Sequence, residues 1–125
     1  MKTILVDVYD RSVKPVDVDD KLSEFYRLLR CSTIDITMRE IGGKVFDVMC
    51  DDEGLLTDNP IVSAFDSDGH MALVGNLMFF HTDGEGNLVG LTDNESAHLL
   101  ACAEWHINLE DGSITPVMTR CDFAY

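Results

Sequence analysis

The sequence predicts an α+β fold: a mostly antiparallel sheet of about five strands with two helices. Three observations predict it. Alternating apolar residues mark strands from the start of the chain, two stretches have helical spacing or capping, and Gly-Gly and Asp-Gly turns favour hairpins. A chain of 125 residues with 46% hydrophobic residues can bury one core, and no Pro- or Ser-rich linker divides it. We therefore treat residues 1–125 as a single domain.

The chain begins with a predicted strand and a predicted helix. Thr3–Val8 alternates after a short apolar start, which is typical of a strand. Apolar residues at i, i+3, i+4 and i+7 then predict an amphipathic helix over about 20–31. Asp19 or Asp20 is expected to be its N-cap, because a carboxylate there accepts a free backbone N–H and faces the positive end of the helix dipole.

A hairpin is predicted next. Residues 33–41 alternate and indicate a half-buried strand. Its expected buried face consists of Ile34, Ile36 and Met38. Gly42-Gly43 favours a two-residue turn, since only glycine takes two positive φ values at low cost, and Lys44–Cys50 is the expected returning strand.

The second half continues with a strand, a helix and a hairpin. Met71–His81 is expected to be one buried strand with a bulge at Gly75-Asn76. The Thr92–Glu95 sequence is a capping box that starts a helix over about 93–105. Pro116 marks the last predicted strand as an edge, because it cannot donate to a ladder. Such an edge could pair with a second copy of the chain, so a homodimer is an open alternative.

The negative charge is concentrated in one part of the sequence. Residues 45–119 contain no Lys or Arg and fourteen Asp or Glu, whereas residues 1–44 hold eight of each sign, and the net charge is −14. Direct binding to nucleic acid or to an anionic membrane is therefore not expected. Spread evenly over a protein of this size, fourteen charges fall about four- to five-fold short of the charge density of duplex DNA. Mimicry of DNA would need them gathered on one face.

This imbalance favours a non-enzymatic protein that presents carboxylates to a basic protein partner. The expected binding residues are Asp51, Asp52, Glu53 and Asp58, with Asn59 shaping the loop. We expect no cofactor and name no catalytic residue, because the sequence has no phosphate-binding glycine loop and no serine in a nucleophile elbow. No export signal and no apolar run of roughly 18 residues is present, so we expect a cytoplasmic protein with reduced cysteines and no membrane span.

The alternative from another class is a small-ligand or metal-binding module. His98, Cys102 and His106 are spaced i, i+4, i+8, which would align them on one helix face if the second helix ran that far. Imidazole and thiolate are zinc ligands, and Cys121 could complete a tetrahedron. Histidine and cysteine at this spacing also occur by chance, with the cysteine as a core filler.

Several segments carry a familiar pattern. They include Arg39-Glu40-Ile41-Gly42-Gly43-Lys44, Cys50-Asp51-Asp52-Glu53-Gly54-Leu55, Asn59-Pro60-Ile61-Val62-Ser63-Ala64 and Val74-Gly75-Asn76-Leu77. With a D-E-G-L core, residues 33–92 resemble a family of domains of unknown function found in small proteins of Firmicutes, their phages and conjugative elements. The resemblance implies no particular activity. It implies accessory cargo of mobile elements in a bacterial cytoplasm, a class that includes acidic inhibitors of host defence, and it leaves the segment after residue 105 without a counterpart.

Overall fold

The computed structural model describes residues 1–56 and 60–124, which form an α+β fold with mostly antiparallel strand pairing, as predicted. The helices are α1 (Leu22–Leu29) and α2 (Asp93–Cys102). The strands are β1 (Lys2–Asp7), β2 (Ser12–Asp17), β3 (Ile34–Ile41), β4 (Lys44–Asp51), β5 (Val62–Phe65), β6 (Met71–Val74), β7 (Leu77–Thr82), β8 (Leu88–Val89), β9 (Ala103–Ile107), β10 (Ile114–Met118) and β11 (Cys121–Phe123).

The described strands form two sheets, so the expectation of one sheet with about five strands is wrong. The large sheet has seven strands in the order β11-β3-β4-β7-β1-β2, with β8 paired to β7, and the small sheet has four in the order β6-β5-β10-β9. The single parallel pairing among them joins β10 to β5. The sequence pattern underestimated the strand number because short, mostly polar strands such as β2 and β11 carry little alternation.

The centre of the large sheet is buried on both sides. Ile4 and Val6 of β1 pack in a core cluster with the small sheet and α2, and we call that side the inner face. Leu5, between them, packs with Phe25 and Leu29 of α1 on the opposite side, the outer face. The molecule is therefore layered, with α1 on one side of the large sheet and the small sheet with α2 on the other.

Strand β3 presents the opposite face to the core from the one predicted. Ile36 and Met38 lie on the outer face and are 47% and 55% exposed, whereas Arg39 points inward and is 7% exposed. The inner face accepts this arginine because its guanidinium lies 3.9 Å from the ring centre of Phe123. Ile34 packs against the outer core cluster, as expected.

Helix α1 is shorter than predicted and has no side-chain N-cap. Lys21, rather than Asp19 or Asp20, occupies the N-cap position, and it makes no capping hydrogen bond through its side chain. At the other end Arg30 adopts a left-handed conformation with φ 53°, which stops the helix before residue 31.

The predicted strand Met71–His81 is two strands in two sheets. Gly75, with φ 76°, breaks it between β6 and β7, so Gly75-Asn76 is a crossover and no bulge. Buried Asn76 holds this crossover in place, since its Oδ1 accepts a hydrogen bond from Val8 N at 2.9 Å and its Nδ2 donates to Leu28 O at 2.9 Å.

Helix α2 starts as predicted and ends early. Thr92 and Glu95 form the capping box. The helix stops at Cys102, whose carbonyl accepts hydrogen bonds from Thr119 N at 3.0 Å and Thr119 Oγ1 at 2.7 Å. The chain then continues as β9, because Trp105 and Ile107 favour a strand and the segment pairs with β10.

Pro116 lies in an interior strand, so the predicted edge is wrong. Hydrogen bonds from Asn108 N to Ser113 O and from Thr119 N to Cys102 O fix the hydrogen-bonded pairs between β9 and β10. Because such pairs alternate, Pro116 faces Trp105 in a non-hydrogen-bonded pair. On its other side β10 meets β5 at Met118, beyond the proline. The missing N–H therefore leaves no gap in a ladder, and β9 is the edge.

Candidate functional site

Three of the predicted binding residues lie where β4 ends. Asp51 is the last residue of the strand, and its Oδ1 accepts a hydrogen bond from Glu53 N at 2.9 Å. Asp52 N donates to Thr33 O at 3.3 Å, which ties the turn to the start of β3. These bonds use backbone donors, so the Asp52 and Glu53 side chains are left exposed. Asp58 and Asn59 lie outside the described residues.

The turn separates two concavities. The first, of about 630 Å³, lies beside α1 and is lined by Arg27, Arg30, Asp51 and Glu53 among others, so its walls carry both charges. The second, of about 400 Å³, we call the carboxylate cavity. Its lining is Asp35, Cys50, Asp51, Asp52, Gly54, Leu55, Leu56 and the β6 residues Met71 to Val74. Its charged groups are all carboxylates, and most of its other residues are apolar.

Gly54 brings the turn close to β6 and so closes the carboxylate cavity. A Cβ on Gly54 would lie 2.8 Å from Val74 Cγ2, which is closer than real side-chain contacts allow. The glycine therefore permits an approach that any other residue would permit only if the Val74 side chain moved.

The cations near this turn are already paired. Arg27 Nε lies 2.8 Å from Glu24 Oε2, and Arg30 Nη2 lies 2.9 Å from Asp10 Oδ1. Among the acids of residues 45–119 that the structure describes, the one ion pair with a lysine or arginine joins Asp93 to Lys2 at 3.9 Å. Both side chains of that pair are highly exposed, so it contributes little. Ion pairing therefore does not neutralise the imbalance seen in the sequence.

Asp35 is the site residue that sequence reasoning missed. It faces Cys50 across the β3–β4 hairpin, which places its carboxylate beside Asp51 and Asp52. A signal was present, because a two-residue turn at Gly42-Gly43 pairs Ile41 with Lys44 and so fixes every later pair.

Cys50 in the cavity is a poor nucleophile. Burial, followed by the nearby carboxylates of Asp35, Asp51 and Asp52, raises the pKa of its thiol to about 12, and Arg39 opposes this only in part. At neutral pH the group is a neutral thiol, whereas nucleophilic chemistry needs the thiolate. The cavity is therefore suited to binding a cation that has an apolar body. Its cysteine fills space in the apolar part of the wall.

The structure does not bring His98, Cys102 and His106 together as a metal site. His106 lies on β9 and stacks on Phe65, with ring centres 5.1 Å apart. His98 Nε2 donates to Ile41 O at 2.7 Å and lies 3.8 Å from Cys102 Sγ. Because that nitrogen carries a proton, it cannot ligate a metal or act as a base towards the thiol in this arrangement.

A different group of ligand-type atoms lies in the β5–β6 turn. Single ligand atoms of Asp66, Asp68 and His70 lie within 4.8 Å of one another. Asp66 Oδ1 already accepts hydrogen bonds from Asp68 N at 3.0 Å and His70 N at 2.9 Å, which is ordinary turn geometry for an aspartate. The turn conformation by itself explains this cluster.

Neither helix could carry the chain through a membrane. Within residues 1–56 and 60–124, no helix reaches the 18 residues with sufficient hydropathy that a span requires.

Comparison with known proteins assigns a family. The model of DUF3846, a domain of unknown function, matches residues 1–102. The chain belongs to this family. The DUF3846 match is wider than the 33–92 resemblance, and it includes β1, α1, all of the carboxylate cavity and α2. It stops where β9 begins, so β9, β10 and β11 lie beyond it. No curated protein and no solved structure matches the chain.

Proposed function

We propose that this DUF3846 protein is a small, non-enzymatic interaction protein that presents the carboxylates of its cavity to a basic protein partner. In the setting that the resemblance implies, a phage or mobile element, the partner is a host protein that handles nucleic acid, and the effect on it is inhibition. The observation that carries the proposal is the carboxylate cavity, whose Asp35, Asp51 and Asp52 have no lysine or arginine partner in the described chain.

The cavity has the chemistry of a receptor for a lysine or arginine side chain. Such a side chain combines an apolar stem with a charged head. Leu73 and Val74 offer an apolar floor to the stem, and the carboxylates meet the head. Complementary charge of this kind mainly raises the association rate and sets specificity, and it weakens as salt is added.

A fluorescently labelled arginine-rich peptide tests this proposal by its anisotropy on binding. The site variant carries Asp35→Asn, Asp51→Asn and Asp52→Asn. These substitutions remove three charges but keep the side-chain oxygens that accept hydrogen bonds from Ile36 N and Glu53 N. The matched control removes three charges elsewhere through Asp68→Asn, Glu85→Gln and Glu110→Gln. We expect affinity to fall about tenfold in the site variant and about twofold or less in the control. An equal loss in both would mean that only net charge matters, and would refute the proposal.

The partner itself is sought by pull-down from a host lysate at low and high salt, with the site variant beside the wild type. The expected partner is basic, binds wild type at low salt, and is lost with the site variant. A partner retained by the site variant would use another surface.

The second candidate function is a small-ligand module that uses the same cavity. Its volume of about 400 Å³ favours this reading, since it lies within the range of small-molecule sites. A polyamine such as spermidine is the probe, and a rise in melting temperature that the site variant loses would support a ligand. If no small amine raises the melting temperature and the peptide still binds tightly, the result would support a protein partner and exclude this second candidate.

A further inference from the structure

Strand β9 offers an unused hydrogen-bonding edge. It is the last strand of the small sheet and pairs only with β10 among the described strands. Because Trp105 and Pro116 form a non-hydrogen-bonded pair, the N–H and C=O of Trp105 point away from β10. By the same alternation the backbone groups of Ala103 and Ile107 also point outward. Three residues thus present donors and acceptors in the spacing of an antiparallel ladder.

Three of the usual protections of an edge strand are missing from β9. β9 contains no lysine and no proline, and its pairing with β10 has no irregularity. One of its faces is also apolar: Trp105 is 55% exposed, Ile107 is 61% exposed, and Ile114, directly opposite Ile107, is 45% exposed. An exposed straight edge with an apolar stripe is the form of surface that pairs with another strand.

We propose that β9 pairs antiparallel with β9 of a second copy of this chain, about a two-fold axis at Trp105. The pairing joins two four-stranded sheets into one continuous sheet of eight strands. It is independent of the carboxylate cavity and adds a self-association surface to the proposed function.

The sequence of β9 is complementary to itself in this register. With the axis at Trp105, Ala103 faces the partner's Ile107, so all the outward backbone groups are used. Glu104 faces the partner's His106, and the same contact occurs again on the other side of the axis. These are non-hydrogen-bonded positions, where side chains across a ladder come closest. A carboxylate therefore meets an imidazole twice.

Neighbouring registers lose this complementarity. Moving the axis to Glu104 sets two like-charged carboxylates opposite each other, and moving it to His106 sets two imidazoles opposite each other; each also shortens the ladder. Within one chain, Glu104 Oε2 and His106 Nε2 lie 3.6 Å apart on the same side of the strand, and His106 is fixed by stacking on Phe65. The carboxylate and the imidazole therefore already lie side by side on one face of β9, and the same two groups of a second copy would lie opposite them in reversed order.

Trp105 reports directly on this interface, because it is the only tryptophan in the chain. At the two-fold axis it faces the partner's Trp105 and loses much of its exposure. Dilution from roughly 200 µM to roughly 1 µM covers the range in which a single strand pair should dissociate. We expect the emission to shift to the red and acrylamide quenching to rise on dilution, while sedimentation equilibrium follows the change from dimer to monomer.

Variants with exchanged charge test the register. Glu104→Lys places an ammonium against the partner's His106, and His106→Glu places two carboxylates together, so each should weaken association at least tenfold. The double variant Glu104→Lys/His106→Glu sets an ammonium opposite a carboxylate and should recover to within about threefold of wild type. Ile107→Lys, which places a charge on the apolar stripe and leaves Trp105 as reporter, is a third disrupting variant.

The charge of the whole protein provides the control. With a net charge of −14, two copies repel, so Glu104→Lys should strengthen any association that depends on net charge alone. Glu85→Lys makes the same change on an exposed turn of the large sheet and should not weaken the dimer. A wild-type monomer at every concentration, a dimer unaffected by the three disrupting single variants, or a double variant that fails to recover would each overturn the proposal. Circular dichroism verifies that each variant is folded.

Discussion

The segment that matches the family and the segment that follows it carry surfaces of opposite character. The carboxylate cavity lies within residues 1–102, on a turn whose charged groups face solvent. The following segment presents the apolar edge of β9 on one side, while Val117, Met118 and Cys121 are at most 1% exposed on the other. The family boundary is therefore not a boundary of the core. The later segment completes the inner face and adds an edge that residues 1–102 do not contain.

The two surfaces should respond oppositely to solvent. Attraction between exposed charges is screened by salt within about 10 Å at 0.1 M ionic strength. Main-chain hydrogen bonds and apolar contacts are not screened in this way. Salt does, however, screen the repulsion between two acidic copies. Experiments that separate the two surfaces therefore also test both proposals.

The largest expected effect is that of ending the chain after Cys102. Removal of the later segment takes away β10, which contributes Met118 to the inner core cluster, and it leaves β5 paired with β6 alone. We expect the shortened chain to lose its cooperative thermal transition, as followed by circular dichroism, because β1, β4 and β7 would expose their inner face. A cooperative melt close to that of the full chain would show that the family segment folds alone.

A pair of single substitutions separates the two sides of the later segment. Met118→Ala removes a fully buried side chain and should lower the free energy of unfolding by about 2–5 kcal/mol. Ile107→Ala changes an exposed residue of the edge and should alter it by about 0.5 kcal/mol or less. Urea denaturation at low protein concentration, where association does not contribute, measures both. Equal losses would contradict the division into a core side and an edge side.

Local signals in the sequence predicted the local structures that they govern. Gly42-Gly43 adopts φ values of 57° and 87° and forms the expected hairpin, and Thr92 with Glu95 forms the expected capping box. These succeed because the hydrogen bonds or dihedral angles concerned lie within a few residues. The α+β class followed from the same signals.

The failures have a common cause in contacts between distant segments. The face of β3 was assigned from its own alternation, but Arg39 is accommodated inside by Phe123, more than eighty residues further along the chain. Similarly, Pro116 indicated an edge, and only the positions of β5 and β9 show why an interior strand tolerates it. In the candidate site Asp51, Asp52 and Glu53 were found as an acidic run, whereas Asp35 is adjacent only through strand pairing.

Salt should separate the two surfaces with a smaller but clear effect. Between about 50 and 300 mM salt, we expect binding of the arginine-rich peptide to weaken about tenfold and the β9 association to change less than about twofold or to strengthen. The site variant should leave association intact, and Glu104→Lys should leave peptide binding nearly intact. Loss of both activities in either variant would show that the two surfaces are one.

The smallest expected effect is in alkaline solution, where one buried thiol of each segment, Cys50 and Cys121, has a raised pKa. Burial is the main cause that raises the pKa of Cys50 to about 12 and that of Cys121 to about 11, from an ordinary value of 9.0. Since the folded state keeps the proton longer, stability from both thiols is intact below about pH 9 and falls as the pH rises towards those values. Urea unfolding from about pH 8 to pH 10.5 should therefore show a shallower decline of the free energy of unfolding in Cys50→Ala and Cys121→Ala than in wild type.

Nearby carboxylates distinguish the two thiols. Those of the cavity help to raise the pKa of Cys50, whereas Asp122 and Asp66 help to raise that of Cys121. The site variant should accordingly lower the pKa of Cys50, measured by thiolate absorbance in a chain whose other three cysteines are replaced by Ala, and should leave that of Cys121 unchanged in a chain that keeps only Cys121.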